Sequence, residues 1–274
     1  MNGVIAGVTI AIMAPMNVRQ ILLAGLGLCA GFAGSRTAFA QTNSPLTVVP
    51  TSVVMVPFVG CASDGQAGPK AAPTRASQSA VVPVAMAQRL TFYEAKYGYG
   101  VLAPSGWHCF STYGSNGISL FVSPDPIDSK ALLSLDWKGF TGQVVQISYI
   151  SCETSGRFEV AKKIARVFPA YKTFAQSVIA EGIEPASDFP FGPYSSDKLT
   201  YRGDRGAEFE TPANTQGLGT DSRLQANASP IDGVAIITDG VTDLIQVTVR
   251  LSARDLIPVI VRQVEANEEV PVGN

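Results

Sequence analysis

Histidine is almost missing from this sequence, in which His108 is the one such residue among 274. A single histidine excludes zinc sites that are built from several histidines. A Ser-His-Asp or Cys-His mechanism would also have to use His108 as its base. Cys109 follows it directly, but neighbouring residues of an extended strand point to opposite faces, which disfavours a direct pair. We therefore predict no catalytic residue, no metal site and no cofactor.

Charged residues are few as well, at 15% of the chain, with a formal net charge of −2. This mildly acidic balance argues against nucleic acid or an anionic membrane surface as the main partner. After the first 40 residues, no apolar run is long enough to span a membrane. We expect no nucleic-acid partner and no membrane span in the mature chain.

The beginning of the chain has the composition of an export signal. An apolar run covers residues 21–34 and follows an arginine, and Ala38 and Ala40 hold the two positions that a signal peptidase reads. We predict a signal peptide over residues 1–40. The mature chain then starts at Gln41 and is periplasmic or secreted.

The start codon is open between Met1 and Met16. Residues 1–15 carry no charged side chain, whereas translation from Met16 gives the charged start that is usual for a signal peptide. A membrane anchor over residues 3–34 is the alternative. It would place Arg19 near mid-span, at a cost of about 2.5–3.5 kcal/mol, so we favour the signal peptide.

Three cysteines remain after the signal peptide: Cys61, Cys109 and Cys152. In an oxidising compartment, an odd number suggests one disulfide and one remaining thiol. We favour Cys61–Cys109, because this bridge would attach the apolar strand at 53–59 to the folded body across a segment with a linker-like composition. Cys152 is then predicted to be a small core residue. The sequence alone leaves all three pairings open.

The remaining sequence is organised in three parts. Residues 41–89 are predicted to be an arm with one short strand and a Pro-, Ala- and Ser-rich linker. Residues 90–266 show period-two strands, then two amphipathic helices at 157–168 and 171–178, then hairpins and a final helix. This order predicts a single α+β domain, in which helices pack on an antiparallel β-sheet. Residues 267–274 are predicted to be a flexible tail.

One turn of this domain has a recognisable sequence. Residues 104–107 read Pro-Ser-Gly-Trp after a short strand, and a Gly-rich turn and a closing hairpin with an amphipathic helix follow. In this arrangement, residues 90–266 resemble the PsbP-like domains. The resemblance implies an α+β fold and a role in binding partners rather than in catalysis.

Three aromatic residues share a loop that is stiffened by proline and glycine: Phe189, Phe191 and Tyr194. Aromatic side chains in such a loop either cover the sheet or form a binding lip. The three are our candidate binding residues. Their predicted partner is an envelope or extracellular protein or glycan.

The alternative is a secreted hydrolase that uses a pair of carboxylates. Its candidate residues are Asp125, Asp128, Asp136, Asp188 and Glu208. Two of them would have to converge in a desolvated cleft. Because the sequence shows no activated nucleophile or metal cluster, we expect a non-catalytic binding or envelope-associated protein instead.

Overall fold

The computed structural model of the protein describes residues 51–238 and 242–270. The predicted signal peptide and the end of the predicted tail lie outside these residues. The strands are β1 Thr51–Gly65, β2 Ser77–Pro83, β3 Leu90–Ala95, β4 Val101–Pro104, β5 His108–Gly114, β6 Gly117–Ser123, β7 Val144–Ile150, β8 Lys198–Arg202, β9 Gly206–Thr211, β10 Ile231–Ile237 and β11 Leu244–Arg250. The helices are α1 Val84–Ala87, α2 Ser129–Leu132, α3 Gly156–Val167, α4 Lys172–Ala180 and α5 Ile257–Asn267.

The strands of the described residues join into one large mixed sheet. Its order is β4-β3-β1-β5-β6-β7-β11-β10-β9-β8, and β2 pairs with β1 outside this path. β1 runs parallel to β3 and to β5, whereas the other pairs are antiparallel. Strands make up 37% of the described residues and helices 23%, and the longest of these helices has 12 residues.

The prediction of an α+β fold with an antiparallel sheet and packed helices is therefore wrong. The structure is a predominantly β architecture with few, short helices. Period-two alternation shows which residues share a face of a strand, but it is the same in parallel and antiparallel sheets. The direction of β1 relative to its neighbours could not be inferred from it.

The predicted arm contributes its strands to the sheet. Residues 51–57 of β1 pair with β2, residues 58–61 with β3, and residues 62–65 with β5. The segment between β1 and β2 packs closely on β1, since a Cβ at Gly60 would lie 1.8 Å from the carbonyl oxygen of Pro73. The predicted arm had one short strand, whereas its residues 77–83 form a second one, β2.

The disulfide between Cys61 and Cys109 is confirmed, with 5.4 Å between the Cα atoms. It joins β1 to β5 one residue before their first paired residues, Ala62 and Phe110. Cys152 keeps a free thiol, as expected, but it is only partly buried and does not belong to the core. Its position after the end of β7 explains this exposure.

The two faces of the sheet carry separate apolar clusters. Val234 and Ile236 of β10 belong to the cluster that contains the apolar stripe of α5, whereas Ala235 and Ile237 belong to the cluster that contains α3 and α4. The predicted final helix is confirmed, with Pro258 in its first turn. Among the described residues, no helix is long and apolar enough to cross a membrane.

Candidate functional site

The three aromatic residues of the predicted binding loop do not form one surface. Phe189 is 2% exposed and lies in the cluster beneath α3 and α4. Phe191 is 49% exposed, and the Lys172 ammonium lies 5.3 Å from its ring centroid. The Tyr194 hydroxyl donates a hydrogen bond to Asp221 Oδ1 at 2.8 Å. Phe189 therefore covers the core, which is the other role that the sequence allowed.

Charged side chains of α3 hold Tyr194 in place. The Arg166 guanidinium lies 4.0 Å from the Tyr194 ring centroid. Lys163, which is 4% exposed, pairs with Asp221 Oδ2 at 3.2 Å, and burial lowers the pKa of its ammonium. Burial and the hydrogen bond to Asp221 raise the pKa of Tyr194 to about 12. These interactions anchor the loop to α3.

The four aspartates of the predicted carboxylate set do not converge. Asp125, Asp128, Asp136 and Asp188 are all exposed. Asp128 has a structural role, because its side chain accepts a hydrogen bond from the backbone N–H of Ala131 and so caps α2. None of the four can therefore contribute to a desolvated pair.

Glu208 of β9 does have a carboxyl partner, Glu265 of α5, which the sequence analysis missed. Arg202 lies between them, 2.6 Å from Glu208 Oε1 and 3.7 Å from Glu265 Oε1. Burial, together with a hydrogen bond to Glu208, raises the pKa of Glu265 to about 7. The sequence contained one indication that Glu265 is buried. It stands four residues after Val261 and therefore on the apolar face of the predicted final helix.

A charged cleft of about 260 Å³ lies between the edge strands β8–β10 and α5. Its carboxylates are matched by cations: Lys198 lies 2.6 Å from Glu210 Oε1, and Arg254 lies 3.0 Å from Asp232 Oδ1. Arg262 also lines this cleft, and it has no hydrogen bond or ion pair within the described residues.

A second, more apolar cavity of about 520 Å³ lies between α5 and the two-stranded ribbon formed by residues 51–57 and β2. We call it the ribbon groove. Its lining residues are Thr51, Val53, Gln78, Ser79, Ala80, Val81, Phe92, Arg262, Gln263, Glu265, Ala266 and Asn267. Val53 is 73% exposed and Val81 is 56% exposed, so the ribbon presents apolar side chains to solvent.

Two buried polar atoms of α5 occur among the lining residues of the ribbon groove. Gln263 accepts a hydrogen bond from the backbone N–H of Leu102 at 3.1 Å through its Oε1. Its Nε2 is buried and has no hydrogen-bond partner in the described part of the chain. Glu265 Oε1 accepts no hydrogen bond there either, but the Arg202 guanidinium lies 3.7 Å from it. The groove thus combines apolar walls with one unused donor.

Comparison of the chain with protein-family models, with curated proteins and with solved structures found no match. The resemblance to PsbP-like domains therefore stays a prediction. The function has to be inferred from the geometry of the chain itself.

Proposed function

We propose that the protein is an exported, non-catalytic binding protein whose ligand occupies the ribbon groove. The observation that carries this proposal is a buried donor with no hydrogen-bond partner in the described residues, Gln263 Nε2, beside apolar walls. Ligand sites are commonly cavities of about 300–1,000 Å³ with apolar walls and a few convergent polar groups. Leaving a buried polar group unpaired costs about 1–3 kcal/mol, which a ligand can offset.

Two further observations support export. The N-terminal sequence has the features of a signal peptide. The Cys61–Cys109 disulfide is of a kind that persists in oxidising compartments such as the periplasm or the extracellular space. We place the ligand in the groove rather than at the aromatic loop, because Phe189 is buried and Tyr194 is bound to Asp221.

Replacing Val81 by lysine tests the proposal. Val81→Lys puts a charge on an apolar wall of the groove at a position exposed enough for the fold to tolerate it. We expect the neutral fluorescent probe Nile red to bind the unaltered protein and to bind this variant at least about tenfold more weakly.

Leu135→Lys is the matched control, since Leu135 is 99% exposed and does not line the groove. Its fluorescence titration should match that of the unaltered protein. Equal binding of Nile red by the Val81→Lys variant would contradict the proposed site.

A hydrolase that uses the Glu208–Glu265 pair is the second candidate. A carboxylic acid whose pKa is raised to about 7 beside a second carboxyl is suited to proton transfer at neutral pH. Against this candidate, Glu265 is 4% exposed and does not line the charged cleft.

Hydrolysis of chromogenic glycosides and esters tests this candidate directly. Turnover that is lost in Glu265→Gln, but kept in the exposed control Glu153→Gln, would favour the hydrolase. A lack of turnover with every substrate leaves the binding protein as the better proposal.

A further inference from the structure

We infer that the ligand of the ribbon groove is an extended, apolar polypeptide segment that pairs with the free edge of β2. This inference rests on the proposed function, since it names the chemical class that the groove takes. Four features of the groove support it.

The groove runs along the edge of a strand. Gln78, Ser79, Ala80 and Val81 are consecutive residues of β2, and all four line it. Successive side chains of a strand point to opposite faces of the sheet. Because consecutive side chains lie on opposite faces, a groove lined by all four extends around the edge of β2 and is not confined to one face.

Within the described residues, the backbone at this edge has no partner strand. Among the described strands, β2 pairs with β1 alone. About half of the N–H and C=O groups of such a strand point away from its antiparallel partner. An extended peptide that adds a strand at this edge would pair with those outward groups, as in other cases of β-strand addition.

The ribbon is uncharged. Residues 51–57 read TSVVMVP and residues 77–83 read SQSAVVP, so neither strand contains a lysine, arginine, aspartate or glutamate. Exposed edge strands usually carry charges or bulges that prevent pairing with other chains. A neutral segment with apolar side chains at alternate positions matches this edge and the valines beside it.

The unpartnered donor of α5 matches a peptide carbonyl. Gln263 Nε2 can donate a hydrogen bond to such a carbonyl. An ionised fatty acid can accept this hydrogen bond too, but it supplies no N–H donors for the carbonyl groups along the β2 edge.

A short, acetylated peptide of alternating valine and threonine, labelled with fluorescein, is the probe that tests this inference. We expect fluorescence anisotropy to show that it binds the unaltered protein and the Leu135→Lys control. Val81→Lys should bind it at least about tenfold more weakly. The same peptide with N-methyl groups at alternate residues keeps its side chains but loses backbone donors, so its binding should also be at least about tenfold weaker.

Three outcomes would overturn the inference. Equal binding of the methylated and unmethylated peptides would exclude strand pairing. Displacement of Nile red by dodecanoic acid but by neither peptide would assign the groove to a lipid-like ligand and leave the proposed function intact. A dimer that Val81→Lys dissociates, with no peptide binding, would assign the edge to a second copy of the chain.

Failure of the proposed function itself is distinguishable, because Nile red would then bind the Val81→Lys variant and the unaltered protein equally strongly.

Discussion

At the scale of single residues, burial distinguishes an aromatic side chain that stabilises the core from one that remains exposed at the surface. Phe189 is enclosed by the cluster beneath α3 and α4, whereas about half of Phe191, two positions later, remains exposed. The intervening Pro190 is exposed too. The same loop therefore contains one core residue and one surface residue of the same type.

This contrast predicts very different effects of truncating the two side chains. Phe189→Ala should lower the free energy of unfolding by about 3–5 kcal/mol, because it leaves a cavity in a packed cluster. Phe191→Ala should change it by less than about 1 kcal/mol. Urea unfolding of both variants measures the difference, and equal losses of stability would contradict this description of the loop.

Glu265 gives the fold a pH dependence. Its pKa is raised to about 7, from an ordinary value of 4.5, by burial and by the hydrogen bond to Glu208. The folded state therefore binds a proton that the unfolded state releases at lower pH. Stability from this group is fully present below the unfolded pKa and is lost as the pH rises through the folded pKa.

We expect the free energy of unfolding to fall by about 1–3 kcal/mol between about pH 5 and about pH 8 on account of this residue. Glu265→Gln should remove most of that fall, because its amide can donate the hydrogen bond to Glu208 at every pH. The exposed control Glu153→Gln should keep it. An unchanged pH slope in Glu265→Gln would refute the assignment.

At the scale of elements, β1 connects parts of the sheet that are distant in sequence. Its 15 residues pair in turn with β2, β3 and β5. The Cys61–Cys109 bridge lies where β1 changes from the first parallel partner to the second. The disulfide therefore fixes the strand that also forms half of the ribbon.

Replacing both Cys61 and Cys109 by serine should lower the free energy of unfolding by about 2–4 kcal/mol, because a closed loop of 48 residues is released in the unfolded state. Urea unfolding of the oxidised protein and the variant measures this. Non-reducing peptide mapping identifies the pairing, and a bridge to Cys152 would contradict it.

At the scale of the whole molecule, the mixed sheet places α5 against one face and α3 and α4 against the other. The ribbon groove exists because α5 borders both this sheet and the β1–β2 ribbon. The proposed binding site thus depends on β1 and β2, which both lie in the predicted N-terminal arm of residues 41–89.

Export is the prediction that concerns the whole chain. We expect protein recovered from the cell envelope or the medium to begin at Gln41, because Ala38 and Ala40 are small residues at the two positions that a signal peptidase recognises. Intact-mass measurement checks this start. Recovery of the full-length chain embedded in a membrane would refute the signal peptide.

The sequence by itself determined the local elements. The apolar stripes predicted α3 and α5, and period-two alternation predicted the hairpins β8–β9 and β10–β11, since these patterns depend on residues that are close in the chain. The Cys61–Cys109 bridge was also predicted, from the composition of the segment between the two cysteines.

Only the tertiary structure decided which elements become neighbours. The parallel pairing of β1, the burial of Phe189 and the meeting of Glu208 with Glu265 all depend on contacts between distant segments. A local pattern predicts on which face of an element a side chain lies. It does not predict which other element packs against that face, or in which direction the adjacent strand runs. For this reason the ribbon groove, which is built from β1, β2 and α5, could not be predicted from any one of its segments.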